Sequence, residues 1–204
     1  MNRQDEIKSN LKIVQDRISI ACKSAGRGLE EIKLIAVTKT FAVEDLKILY
    51  SLGIRDFGEN RDQEASKKSV EMPKDINWHF QGQIQSNKLK SITSWATYIH
   101  SVDQYRYAKL ISEFAGDQHR SIFLQVSLDQ VPESRGGVDP VRLHDLAAQI
   151  SQFSNLNLMG LMAVAPLNEN TESSFARLST YQHEFVQSFP EAKFLSAGMS
   201  GDYE

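Results

Sequence analysis

The sequence predicts an α/β fold, a (β/α)8 barrel of the TIM type with one extra helix at its N-terminus. Three observations point there. Short apolar, strand-like runs alternate with stretches of helical period, and that alternation implies parallel pairing. The connections are short and no shift of composition marks a linker, so residues 1–204 read as one domain. Seven strand–helix units in a single domain favour a barrel over an open sheet. A closed barrel needs eight strands, and such barrels run to about 250 residues. The eighth strand is therefore expected to be missing from this chain, with its C-terminal end truncated relative to a complete barrel. An overlooked strand or an open sheet are the alternatives.

The elements follow in order. Residues 4–25 read as an amphipathic helix packing on the barrel, because Ile7, Leu11, Val14, Ile18 and Ala21/Cys22 recur at helical steps. Gly26-Arg27-Gly28 ends it. Leu34 to Val37 is an unbroken apolar run with two β-branched residues, the pattern of a strand buried on both faces. A helix over 42–51 follows, with Glu44 and Asp45 in its first turn, where the dipole favours acids. Further strands are expected at 54–60, 76–83, 98–102, 121–127, 156–165 and 193–197. Helices are expected at 62–70, 86–93, 104–114, 140–152 and 173–188. A loop containing Pro and Gly spans 130–137.

Composition narrows the function. Net charge is −3, and no basic run is present, which argues against nucleic acid as a partner. The single cysteine, Cys22, rules out an intramolecular disulfide framework and sits in the apolar stripe of the first helix. The N-terminus is too polar for a signal peptide, and no apolar run approaches the roughly 20 residues needed to span a bilayer. A cytoplasmic protein is expected, and nothing in the sequence demands more than a monomer.

In a parallel barrel, functional residues lie at the C-terminal ends of strands. Side chains alternate along a strand, so Ile35, Val37 and Lys39 share one face. Lys39 thus ends the first strand on the interior face, where partial desolvation would leave more free amine to attack a carbonyl. The plain alternative is that Lys39 marks where the strand meets water. The other polar strand ends are Glu59 and Asn60; Gln85, Asn87 and Lys88; Ser101 and Asp103; Ser134 and Arg135; Ser196 and Ser200. Asn60, Ser86 and Asp103 also suit helix N-caps or near-caps. His79, between Trp78 and Phe80, suits a hydrogen-bonded core histidine. His100, His119, His144 and His183 are scattered, with no metal-ligand spacing, so no metal site is expected. Gly198-Met199-Ser200-Gly201 is a small-residue turn after the seventh strand, where barrels often bind phosphate. With Lys39, it points to a phosphorylated carbonyl ligand held as a Schiff base.

Several stretches, in order, carry a resemblance. They are Ala36-Val37-Thr38-Lys39-Thr40, Phe57-Gly58-Glu59-Asn60 with Gln63-Glu64, and Trp78-His79-Phe80 through Gln85-Ser86-Asn87-Lys88. Gly160-Leu161-Met162-Ala163 and Leu195-Ser196-Ala197-Gly198-Met199-Ser200-Gly201-Asp202 complete the set. Over nearly its whole length the chain resembles the YggS/PROSC family of pyridoxal-phosphate homeostasis proteins. The resemblance implies a barrel like the N-terminal domain of alanine racemase, with pyridoxal 5′-phosphate (PLP) at the strand C-termini. It implies Lys39 as the Schiff-base lysine, Ser200 and Gly201 as phosphate contacts, and Asn60 and His79 as residues on the cofactor's side. It puts Arg135 where many relatives have lysine, and Gln81 where they have an aliphatic residue. It implies an eighth strand with further phosphate contacts, absent from this sequence. The function so implied is intracellular PLP carriage and homeostasis without substantial turnover, with no catalytic residue and with PLP-accepting apoenzymes as partners. A PLP-dependent amino-acid racemase or lyase is the alternative, and a cofactor-free Schiff-base aldolase a third.

Overall fold

The computed structural model describes residues 2–129 and 136–204. A first helix, α1 (Arg3–Ser24), precedes the strands β1 (Ala36–Val37), β2 (Asp56–Glu59), β3 (Asn77–Phe80), β4 (Tyr98–Val102), β5 (Arg120–Gln125), β6 (Leu156–Met162) and β7 (Phe194–Ser196). Between them lie α2 (Val43–Ser51), α3 (Asp62–Glu71), α4 (Leu89–Trp95), α5 (Tyr105–Ala115), α6 (Leu143–Ile150) and α7 (Thr171–Ser188). The predicted helices at 86–93 and 140–152 each begin as a 3₁₀ turn, Ser86–Lys88 and Pro140–Arg142.

All strands are parallel, and their order in the sheet is their order in the chain. Every crossover therefore steps in one direction, and right-handed crossovers put all the helices on one face. The other face rolls up. His100 on β4 and Ser196 on β7 sit three strands apart, about 14 Å in a flat sheet, yet their side chains meet at 2.7 Å. The architecture is thus the expected barrel, left open between β1 and β7.

The helix-facing side of the sheet is apolar. Phe57 on β2 lies 5.9 Å from Trp78 on β3, ring centre to ring centre, and Trp95 of α4 meets Trp78 edge-on at 6.3 Å. Leu46, Ile54, Met72 and Ile76 complete that cluster, and Leu11 of α1 packs against it. Cys22 is buried, as its place in the apolar stripe implied. Arg3 clamps α1 to α2 through two hydrogen bonds to Asp45, 2.9 and 2.7 Å.

One expectation fails. β1 is not buried on both faces: it spans two residues, pairs among the described residues only with β2, and leaves Val37 44% exposed. An apolar run of that length reads as a central strand, but an edge strand at a barrel's opening has a neighbour on one side only.

Candidate functional site

The two residues flanking Lys39 are fixed from below by one helix. The Thr38 N–H donates to the Gly58 carbonyl at 2.8 Å, extending the β1–β2 ladder. The Thr38 hydroxyl donates to Glu59 Oε1 at 2.8 Å, and Lys68 Nζ donates to both Glu59 Oε1 (2.7 Å) and the Thr38 carbonyl (2.8 Å). Glu59 and Lys68 are buried. On the other side, Thr40 adopts φ +67, an outlying conformation for a β-branched residue. Its N–H donates to Glu64 Oε2 at 3.1 Å, and that bond, with help from Arg61, holds the Glu64 carboxyl below its usual range. Glu64 and Lys68 are one helical turn apart on α3, so one face of α3 grips both neighbours of Lys39. Lys39 itself is exposed. The partial desolvation expected for it is not present here, because the edge position of β1 leaves it open to water.

The rest of the rim is built by close backbone approaches. Asn60 directly follows β2, half-buried, and its carbonyl oxygen lies 2.1 Å from where a Cβ on Gly82 would stand. Only glycine permits that contact. The Ser101 hydroxyl donates to the Gly82 carbonyl, carrying the same rim on to β4. Asn60 and Asp103 directly precede an N-cap residue and Ser86 directly follows one, so they are near-caps and not caps. The residues at the N-caps are Arg61, Gln85 and Gln104, without side-chain cap bonds. Asp103 instead accepts from the Gly137 N–H at 3.0 Å, tying the β4 end to the segment beyond β5. Ser134 and Arg135 lie outside the described residues.

After β7, Gly198 takes φ +90 and turns the chain. The Asp202 carboxylate accepts from the Met199 N–H, and the Asp202 N–H bonds the Met199 carbonyl at 3.1 Å. Among the described residues, no acceptor bonds the N–H groups of Ser200 and Gly201, and both residues are exposed. A Cβ added to Gly201 would meet nothing within 4 Å. Lys39, Asn60 and the Ser200–Gly201 turn thus follow the C-terminal ends of β1, β2 and β7, on one rim. That rim offers a primary amine and a donor-rich turn, which suits a ligand with a carbonyl and an anionic group. A separate cleft at the ends of β4 and β5, lined by Asp103, Gly137, Arg142 and Asp145, includes neither Lys39 nor Ser200.

His79 faces the barrel interior below the rim, 2% exposed and stacked on Tyr98 at 4.5 Å. Its Nε2 lies 3.0 Å from Asp56 Oδ1, and its Nδ1 lies 2.8 Å from His100 Nε2. His100 is stacked on Phe123 and contacts Ser196 Oγ through Nδ1. Burial lowers the proton affinity of both rings, His100 the more strongly. At Asp56 burial pushes upward, but the His79 bond and the Lys33 charge outweigh it, and the carboxyl stays below its usual range. His100 is not scattered: His79 stands opposite Tyr98 in the β3–β4 register, so His100, two residues on, shares its face. Asp56 stands opposite Asn77 in the same way, 23 residues before His79. Neither partner is announced by spacing without the strand register. Among the described residues, no three His, Cys, Asp or Glu side chains are disposed to hold a metal ion.

Residues 4–204 match the alanine racemase N-terminal domain family. A pyridoxal phosphate homeostasis protein of Mycobacterium leprae is 36% identical over 100% of this chain and 87% of the relative. PipY of Synechococcus elongatus, solved with PLP bound, is 33% identical, with a TM-score of 0.77 over 91% of this chain and 90% of PipY. An alanine racemase of Clostridium difficile shares the fold at 14% identity, with a TM-score of 0.78 over 96% of this chain and 51% of the racemase.

Proposed function

The chain belongs to the pyridoxal phosphate homeostasis proteins, built on the alanine racemase N-terminal domain, and from that premise we propose that it holds PLP reversibly as a Schiff base on Lys39. The observation that carries this reading is the pinning of Thr38 and Thr40 around an exposed Lys39 amine. When bound, PLP supplies an aldehyde carbon open to attack by a primary amine, together with a phosphate anion.

The residues present suit that ligand. Lys39 supplies the amine, and the backbone clamp from α3 fixes where that amine starts. The Ser200 and Gly201 N–H groups, with the Ser200 hydroxyl, receive the anion. Asn60 borders the same rim, and His79 underlies it from the interior. Asp202 already occupies the Met199 N–H, so the turn's remaining donors are those of residues 200 and 201.

Carriage without turnover is the reading for the activity. Proton transfer at a bound amino acid needs a second positioned acid or base. His79 and His100 have both ring nitrogens committed within the barrel, so neither is free for that task. The acceptors of the cofactor would be apoenzymes that use it, met in the cytoplasm by a monomeric carrier. Among the described residues, no helix is long and apolar enough to cross a membrane.

The visible spectrum of the purified protein tests this. PLP-loaded protein should absorb as a Schiff base, and Lys39→Ala should lose that band. A band unchanged in Lys39→Ala overturns the assignment. Solvent deuterium uptake at Cα of L-amino acids at enzyme-like rates would replace the carrier reading with a racemase.

A further inference from the structure

Asp56, His79, His100 and Ser196 stand in single file through the barrel interior, and their hydrogen-bonding roles follow by elimination. An ionised carboxylate only accepts, so His79 Nε2 carries a proton toward Asp56 Oδ1, 3.0 Å away. His79 is buried and neutral, so its Nδ1 is bare and accepts from His100 Nε2 at 2.8 Å. His100 is neutral in turn, so its bare Nδ1 accepts the Ser196 hydroxyl at 2.7 Å. Every proton in the file points toward Asp56. Reversal would require Asp56 itself to become a donor.

The surroundings leave this order undisturbed. Asn77 Nδ2 donates to Asp56 Oδ1 at 3.2 Å, and Lys33 Nζ lies 3.6 Å from the same oxygen. Tyr98 and Phe123 cover the faces of the two rings without a hydrogen bond to either.

We infer that Asp56 is a positioning residue: through His79 and His100 it fixes Ser196 as a hydrogen-bond acceptor at the end of β7, a subsite for a ligand's N–H or O–H donor. The inference rests on the C-terminal rim being the ligand side. Ser196 precedes the Gly198–Gly201 turn by two residues. The β7 end therefore presents opposite polarities side by side, lone pairs at Ser196 and N–H donors at Ser200 and Gly201. That pair complements a ligand carrying a donor close to its anionic group, and it excludes Ser196 from holding the anion while Asp56 is ionised.

Nitrogen-15 NMR of the ligand-free full chain at neutral pH reads the tautomers directly, independently of any cofactor. Both rings should carry the proton on Nε2, with a pyridine-type Nδ1. A proton on Nδ1 of either ring, or an imidazolium, overturns the inference. In Asp56→Ala no carboxylate accepts the His79 Nε2 proton, and both rings should lose their single tautomer and show a mixture of pyridine-type and pyrrole-type resonances at each nitrogen. Unchanged tautomers in a folded Asp56→Ala overturn it as well. Ser196→Ala should leave both rings as in the parent, since the order is imposed from Asp56. A flip there would mean that the rim sets it instead. The parent and Ser196→Ala measurements decide the matter even if Asp56→Ala fails to fold.

Discussion

At the level of single residues, the backbone is strained next to Lys39. Thr40 sits at φ +67, a region that costs an L-residue roughly 1–2 kcal/mol. Thr40→Gly should relieve that strain, less the roughly 0.5–1 kcal/mol that glycine loses in chain entropy. The expected net is a stabilisation of about 0.5–1 kcal/mol in urea unfolding, with looser placement of Lys39; a destabilised variant would contradict the strain reading. Alternation assigns Lys39 the interior face, whereas the structure leaves it exposed two residues beyond the end of an edge strand. The conformation of Thr40 was not legible in the sequence, since nothing in Thr-Lys-Thr announces a left-handed residue. The interior file was half legible: His79 could be placed on a strand, but its partners come from other strands, and strand register cannot be read from one strand alone.

At the level of elements, α3 is the support on which β1 depends. Glu59 Oε2 is buried with no hydrogen-bond partner, so Lys68 is the ionic partner that Glu59 has among the described residues. Lys68→Met should cost roughly 3–5 kcal/mol, because it strands a buried carboxylate. Adding Glu59→Gln should recover much of that loss in urea unfolding. A single variant as stable as the parent would remove the support argument. Gly160 plays a similar part between β6 and β7. It adopts φ +148, and a Cβ there would stand 1.8 Å from the Phe194 carbonyl oxygen. Gly160→Ala should cost about 3 kcal/mol and weaken anion binding at the turn after β7, as phosphate titration would report. The order and type of these elements were legible from period and punctuation. Their caps were not: Asp103 has the residue type of a cap, yet it bonds Gly137 across the rim, a tertiary contact that local sequence does not encode.

At the level of the whole molecule, the interior file ties stability to pH. His79 and His100 are buried with their proton affinity pushed below the ordinary value of 6.5. The unfolded chain therefore binds protons that the folded one refuses. Their contribution is fully present above pH 6.5 and is lost as pH falls from there toward the folded values. Melting temperature should drop between pH 7 and 5, and a flat profile would mean the rings are not buried neutral. The barrel architecture was legible, down to the count of seven strands. What was not legible was how exposed its edges are: Val37 on β1, and Phe194 and Leu195 on β7, stand exposed, where an apolar run reads as interior.

The proposed function stands on Lys39 as the residue to which PLP attaches. Reducing PLP-loaded protein with borohydride, digesting it and locating the added pyridoxyl mass tests that most directly. The label is expected on the peptide carrying Lys39. A label on another lysine, or none on a protein that was yellow before reduction, would contradict it.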